Sequence, residues 1–260
     1  MTGSEDSRAG LQWTSLIRVQ ENLRDEQDFW DDEGEDEKDD DDLSTGSGVP
    51  LKSQKEIVDK HNEIRRNVQP TARNMLKMTW NETVGVNSRK WGDKCQMKSS
   101  PLEDRTLDGV LCGQSMFQSN YPYSWTEVID YWKNKAHYFK YGVGSIDPEQ
   151  NIYGYTQVIW YRSYQIGCSV SVCPNNKHTY VYICQYCPTG NIEHLIKTPY
   201  KEGPSCGDCP KHCEDKLCTN PCMYLDQSLH CAELKKMLGC KKANKNGHCN
   251  ATCKCSNKIK

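Results

Sequence analysis

An α+β fold closed by a cysteine-stapled tail is what this chain predicts, on three observations. Residues 151–191 hold the strongest β signal, with Ile166 to Val172 alternating apolar and small or polar side chains and Thr179 to Tyr186 returning after the turn-forming Pro174-Asn175-Asn176. Tyr155 to Trp160, also rich in Tyr, Val and Ile, reads as a further strand. Helical stripes recur upstream of this stretch. The 16 cysteines divide into six between Cys95 and Cys187 and ten between Cys206 and Cys255. That density has a use only in an oxidising compartment, so a secreted, extracellular protein is expected.

Taken in order, residues 1–50 carry 16 acidic and 4 basic side chains, leaving 19 acidic and 29 basic in the remainder. From Asp31 to Asp42 ten carboxylates are broken only by Gly34 and Lys38. Such a block repels itself and cannot be buried, so residues 1–52 are expected to be a disordered acidic segment and linker rather than a cation site. No apolar run in them is long enough for an export signal, and no transmembrane segment appears; an atypical first exon is expected rather than a cytosolic protein. The basic body carries no nucleic-acid motif, and nucleic acid is not expected as a partner.

The first folded element opens at Ser53, with Glu56 completing a capping box, and Ile57, His61, Ile64 and Val68 recur at helical spacing before Pro70. His61 reads as a hydrogen-bonded core residue. Trp80, Val84, Trp91 and Cys95 mark a second helix. Ser124 with Glu127 forms a capping box ahead of Val128, Ile129 and Trp132, the inward stripe of a third. Residues 186–203, punctuated by Pro188, Gly190, Pro199 and Gly203, form a connecting segment. Cys206, Cys209 and Cys213 beside His212 have some of the look of a zinc knuckle. A disulfide hinge is preferred, and Cys184-x-x-Cys187 and Cys206-x-x-Cys209 are read as structural rather than redox pairs. In the tail, Ser228 to Leu238 is expected to be a short helix capped by Gly239, with Leu234 and Leu238 inward and Lys235 and Lys236 outward. Asn81 and Asn250 head N-x-[ST] sequons and are candidate glycan acceptors, the second between Cys249 and Cys253 and therefore a poor one.

Several of these segments carry a resemblance. YTQVIWYRSYQIGC and YICQYCPTGN resemble the two signature segments of the cysteine-rich secretory proteins, and HNEIRR resembles their first helix. The likeness runs from about Ser53 to Lys260. It implies a CAP domain, an α/β/α sandwich, over residues 53–200, a disulfide hinge over 201–221, and a small helical ShKT-like ion-channel regulatory module over 222–260. It also implies a disulfide pairing, which spacing alone cannot choose. In the first domain this is Cys95 to Cys173, Cys112 to Cys187 and Cys168 to Cys184; in the hinge, Cys206 to Cys213 and Cys209 to Cys218; in the last module, Cys222 to Cys255, Cys231 to Cys249 and Cys240 to Cys253. No pair crosses a module boundary, so each module is expected to be stable alone.

CAP domains of this family place two histidines and two glutamates in a cleft that can hold a divalent cation. Here the HSPxxDR segment reads Ser99-Ser100-Pro101-Leu102-Glu103-Asp104-Arg105, CGENL reads Cys112-Gly113-Gln114-Ser115-Met116, WYxE reads Trp132-Lys133-Asn134-Lys135, and the GHYTQVVW histidine is Gly154. The four ligand positions therefore hold Ser99, Gln114, Lys135 and Gly154. A hydroxyl, an amide, an ammonium and a hydrogen atom offer zinc neither imidazole nor carboxylate, so no metal, no cofactor and no catalytic group is expected. Ser99 and Ser115 lack a histidine and an acid at motif spacing, and neither is expected to be a nucleophile. From Met223 to Lys260 there are 8 basic and 2 acidic residues, a surplus suited to the acidic mouth of a cation channel. The reading is a secreted, monomeric, non-enzymatic binding protein acting on an ion channel or cell-surface receptor, with Lys235 and Lys236 as partner-binding candidates. The resemblance points to sperm maturation or sperm–egg contact. The alternative is a carrier that binds a sterol or other lipid.

Overall fold

The computed structural model describes residues 46–260, so the acidic run at Asp31–Asp42 and the question of an export signal lie outside the described residues. In chain order come α1 (Leu51–Arg66), β1 (Thr79–Trp80), α2 (Glu82–Gly92), β2 (Thr106–Leu107), β3 (Val110–Leu111), β4 (Gly113–Ser119), α3 (Trp125–Lys133), β5 (Phe139–Lys140), β6 (Gly144–Ser145), α4 (Tyr153–Val158), β7 (Gln165–Val172), β8 (Tyr180–Cys187), β9 (Cys213–Glu214), β10 (Leu217–Cys218), α5 (Cys231–Ala243) and α6 (Asn250–Lys254). The main sheet has the order β1-β7-β8-β4, with β1 parallel to β7 and the remaining pairs antiparallel. The other strands form two-residue hairpins.

Alternation along β7 decides what each face receives. Ile166 and Cys168 point into the main core with Tyr182, Cys184 and Tyr186 of β8. On that side the sheet is covered by Ile57 and Ile64 of α1, Val128, Ile129 and Trp132 of α3, and Tyr155 and Val158 of α4. Removing each such aliphatic side chain from water is worth roughly 1.5–3 kcal/mol. The opposite face presents Gly167, Ser169 and Ser171 to α2. A Cβ at Gly167 would lie 2.0 Å from the Gly85 nitrogen, so helix and strand touch backbone to backbone, and Ser88 Oγ donates to the Gly167 carbonyl at 2.8 Å. Helices on both sides of one sheet give an α+β fold of the CAP type, layered α/β/α.

The structure departs from the sequence reading at four places. Tyr155 to Trp160 is not a strand. Residues 153–158 form α4 because Tyr155, Val158 and Ile159 fall at helical spacing into the core, while Thr156 Oγ1 and Gln157 find inward partners in Asn191 Oδ1 (2.7 Å) and the Gly190 amide (3.2 Å). With all six side chains from 155 to 160 buried there is no polar alternation to separate a strand from a buried helix. Second, α1 starts at Leu51 after Pro50, so the Ser53/Glu56 capping box does not form. Glu56 Oε1 instead accepts from the Thr126 amide (2.8 Å) and hydroxyl (2.7 Å), joining α1 to α3. Third, α2 is shorter than its apolar stripe, since Trp80 lies on β1 and Cys95 lies beyond the helix with φ 52°. Fourth, Leu238 faces outward. The other capping box is present: Ser124 Oγ accepts from the Glu127 amide, and Glu127 Oε2 accepts from the Ser124 amide.

The hinge is not a free spacer. Leu217 of β10 is fully buried in the main core, and Cys218 donates its amide to Met75 O (2.7 Å) while accepting from the Lys77 amide (2.8 Å). Arg73 to Asp208 (2.6 Å), Arg66 to Asp215 (2.6 Å) and Lys77 to Glu214 add ion pairs between hinge and body. No disulfide crosses these module boundaries, yet the packing does. The last module meets the body through Tyr161 Oη donating to Lys260 O (2.6 Å) and Ile259 packed with Leu76 and Cys218.

Candidate binding cleft

Four separate elements converge on one cleft of about 400 Å³. Ser99 comes from the loop after α2; Gln114, Ser115 and Met116 from β4; Tyr131, Trp132 and Lys135 from α3 and the turn that follows it; Asn151, Tyr153 and Gly154 from the start of α4. The four positions singled out by the motifs are thus brought together, although 55 residues separate Ser99 from Gly154. Gly154 presses on Trp132: a Cβ there would lie 3.0 Å from the indole Cδ1.

The polar groups of the cleft are held from behind. Asn87 Nδ2 donates to Asp104 O (2.7 Å) and to Gln185 Oε1 (2.8 Å), leaving Gln185 Nε2 to donate to Gln114 Oε1 (3.5 Å), which also accepts from Ser100 Oγ (2.6 Å). This relay fixes the Gln114 amide with its Nε2 as a buried donor that has no acceptor among the described residues. Lys135 Nζ donates to Gln150 Oε1 (3.3 Å) and sits 5.4 Å from the centre of the Tyr131 ring and 5.7 Å from that of Tyr138. Among the described residues no carboxylate and no imidazole lines the cleft. A divalent cation would meet an ammonium, a hydroxyl and an amide here, a donor set that does not fit zinc. Nor does Ser99 or Ser115 have a base beside it within the cleft, so neither hydroxyl is activated there.

Residues 58–186 match the model of the cysteine-rich secretory protein family, and residues 206–260 match the Crisp model. The chain belongs to the cysteine-rich secretory protein family. Among solved structures it is similar to Na-ASP-1 (27% identity, TM-score 0.55), with 64% of this chain covered against 47% of that one. The chain therefore spans about half the length of Na-ASP-1. The fold is shared with NaASP2, solved with Zn²⁺ (22% identity, TM-score 0.53, 65% and 96% covered), and BmVAL-1 (22%, 0.56, 66% and 95%).

One feature of this family member was not visible in its motifs, and it sits beside His61, the core histidine expected from the sequence. Arg65 of α1 is fully buried and donates to the carbonyls of Leu76 (2.9 Å), Val158 (2.8 Å), Trp160 (2.9 Å), Tyr161 (3.1 Å) and Ser163 (3.0 Å). Burial lowers its pKa to about 9, which still leaves it charged at neutral pH. It pins the segment that enters β7. His61, one turn earlier, sits between Ile57 O (2.7 Å) and Tyr186 Oη (3.0 Å), and burial lowers it to about 4. A signal existed for Arg65: an arginine one residue after Ile64, on the inward stripe. It passed unnoticed because charged residues at such positions usually snorkel outward.

The eight cysteine pairs named from the resemblance are all bonded, and the described residues include no free cysteine. Cys206, Cys209 and Cys218 cluster at metal-binding distances, but each sulfur is spent in a disulfide. In the last module α5 begins at Cys231 and is broken at Gly239 (φ 71°), close to the expected cap. Lys235 Nζ donates to Thr252 O at 3.0 Å, while Lys236, Lys241, Lys242 and Lys245 are exposed without a bonded partner among the described residues. Leu229, Met237 and Leu238 are exposed beside them. Of the sequons, Asn81 caps α2 by accepting from the Val84 amide (3.2 Å), and Asn250 opens α6, where the buried Thr252 hydroxyl is bound to Asp226 Oδ2 (2.5 Å).

Proposed function

We propose that the chain is a secreted, non-enzymatic binding protein whose last module, residues 222–260, modulates a cation channel or engages a cell-surface receptor. The observation that carries this is the triply bridged last module, on which Lys236, Lys241, Lys242 and Lys245 are exposed, as are Leu229, Met237 and Leu238. A cationic module is the electrostatic complement of an acidic vestibule, and it steers association through charge. Lys235, a candidate contact by sequence, is tied to Thr252 O and acts by its charge rather than by reaching out. Sperm maturation or sperm–egg contact is the setting the resemblance favours, and monomeric action at an extracellular surface goes with it. The non-enzymatic reading is supported by a cleft without base, acid or metal ligand.

The test is electrophysiological. Full-length oxidised protein is applied to cells carrying candidate calcium or potassium channels, beside a chain ending at Pro221 and a Lys236→Gln, Lys241→Gln, Lys242→Gln variant. The block should vanish with the truncation and weaken about tenfold in the variant. A truncated chain as potent as the full one would overturn the assignment.

The carrier reading rests on a separate recess of about 370 Å³ between α1 and the turn after α3, lined by Ile64, Val68, Ala136, Phe139 and Tyr155 among others. Saturable binding of labelled sterol by the chain ending at Pro221, lost on Ala136→Lys, would favour it.

A further inference from the structure

We propose that the cleft around Lys135 binds a small organic anion, a carboxylate or sulfate monoester carried on a flat apolar body. Its electrostatic sign is set by one group. Among the described residues Lys135 is the only charged one lining the cleft, and it makes no ion pair with any of them. Gln150 and the rings of Tyr131 and Tyr138 hold the ammonium half-buried at the wall, where water screens it less than on an open surface. An anion placed there gains a charge-assisted hydrogen bond with a donor already positioned.

The rest of the wall is matched to the same ligand. Ser99 brings an exposed hydroxyl, and the Gln114 amide is held by the Asn87–Gln185 relay; among the described residues no acidic side chain lines the cleft to repel a negative charge. Tyr131 and Tyr153 are exposed aromatic rings at the rim, and Met116 and Trp132 give an apolar floor. One ammonium and a hydroxyl in a cleft lined by aromatic rings suit a ring bearing one anionic end, and about 400 Å³ lies within the usual range of small-molecule sites. A single ammonium favours a monoanion over a phosphate dianion.

Isothermal titration of the oxidised full chain at pH 7 tests this, with 1-naphthoate, neutral 1-naphthamide and inorganic sulfate as probes. Naphthoate should bind with one-to-one stoichiometry and sulfate more weakly. Lys135→Gln should weaken naphthoate about tenfold and leave naphthamide unchanged, while Lys135→Arg keeps naphthoate binding within a few-fold. Tyr153→Ala, a rim change that leaves the charge in place, should weaken naphthoate but not sulfate. Equal naphthoate affinity in wild type and Lys135→Gln, or no saturation in the wild type up to millimolar concentration, would overturn the proposal. So would an acetylated Asp-Glu peptide that displaces naphthoate at lower concentrations than naphthoate itself needs, since the cleft would then belong to an acidic protein segment.

Discussion

At the scale of single residues, polar groups buried in α1 hold together parts of the chain that are distant in sequence. His61 is neutral in the native protein because burial outweighs its bond to Ile57 O, and its pKa of about 4 lies below the ordinary value of about 6.5. Between those values the unfolded chain takes up a proton that the native chain refuses. The stabilisation is therefore complete above pH 6.5 and falls by roughly 3 kcal/mol towards pH 4. Urea midpoints at pH 7, 5.5 and 4 should drop more steeply for the natural sequence than for His61→Gln. Arg65 supplies donors to five carbonyls, four of them through fully buried bonds, so Arg65→Met strands buried acceptors whose desolvation costs about 1–3 kcal/mol each before relaxation. A loss of at least about 3 kcal/mol is expected by urea unfolding under non-reducing conditions, where a solvent-facing arginine would give almost none.

At the scale of elements, legibility follows periodicity. The α3 stripe and its cap could be read directly because Ser124, Glu127, Val128, Ile129 and Trp132 sit at positions only a capped amphipathic helix explains. The β7–β8 pair was legible for the same reason, with Cys168 opposite Cys184 in the register. By contrast α4 was hidden, since a six-residue run buried on every side has no polar face to report its period. The start of α1 was hidden too, because Pro50 and the partner of Glu56 on α3 decide it, and that contact spans 70 residues. Contact between α2 and β7 depends on Gly167, where the nearest atoms are helix backbone that cannot rotate away. Gly167→Ala should displace α2 and lower stability by more than about 3 kcal/mol, read as a fall in Tm, whereas Gly109→Ala, which meets no neighbour and bears only the strain of its φ of 76°, should lose about 1 kcal/mol.

At the scale of the whole molecule, the cleft and the tail answer different questions. Motif positions foretold which four residues meet in the cleft, since the scaffold that brings them together is that of the family. Motifs left unread what surrounds them: the Gln114 relay, the aromatic rings about Lys135, and Gly154 pressed on Trp132 are products of tertiary packing. The docking of the hinge was hidden for a related reason, because its cysteine spacing says nothing of Leu217 entering the core. Leu217→Ala should cost about 2–5 kcal/mol even though the residue lies in a disulfide hairpin.

The central claim is that this chain keeps the CAP scaffold while its cleft has lost the chemistry of a cation site. Titration of the oxidised full chain with Zn²⁺ at pH 7, followed by isothermal calorimetry, addresses it most directly. Only weak background uptake is expected, from the exposed His137, His194, His212, His230 and His248 and the half-buried His178. Ser99→His, Gln114→Glu and Lys135→Glu together should create a measurable site, with Gly154→His further requiring Trp132 to move. A single tight Zn²⁺ site in the unmodified protein, abolished by changes at Ser99, Gln114 or Asn151, would contradict the account.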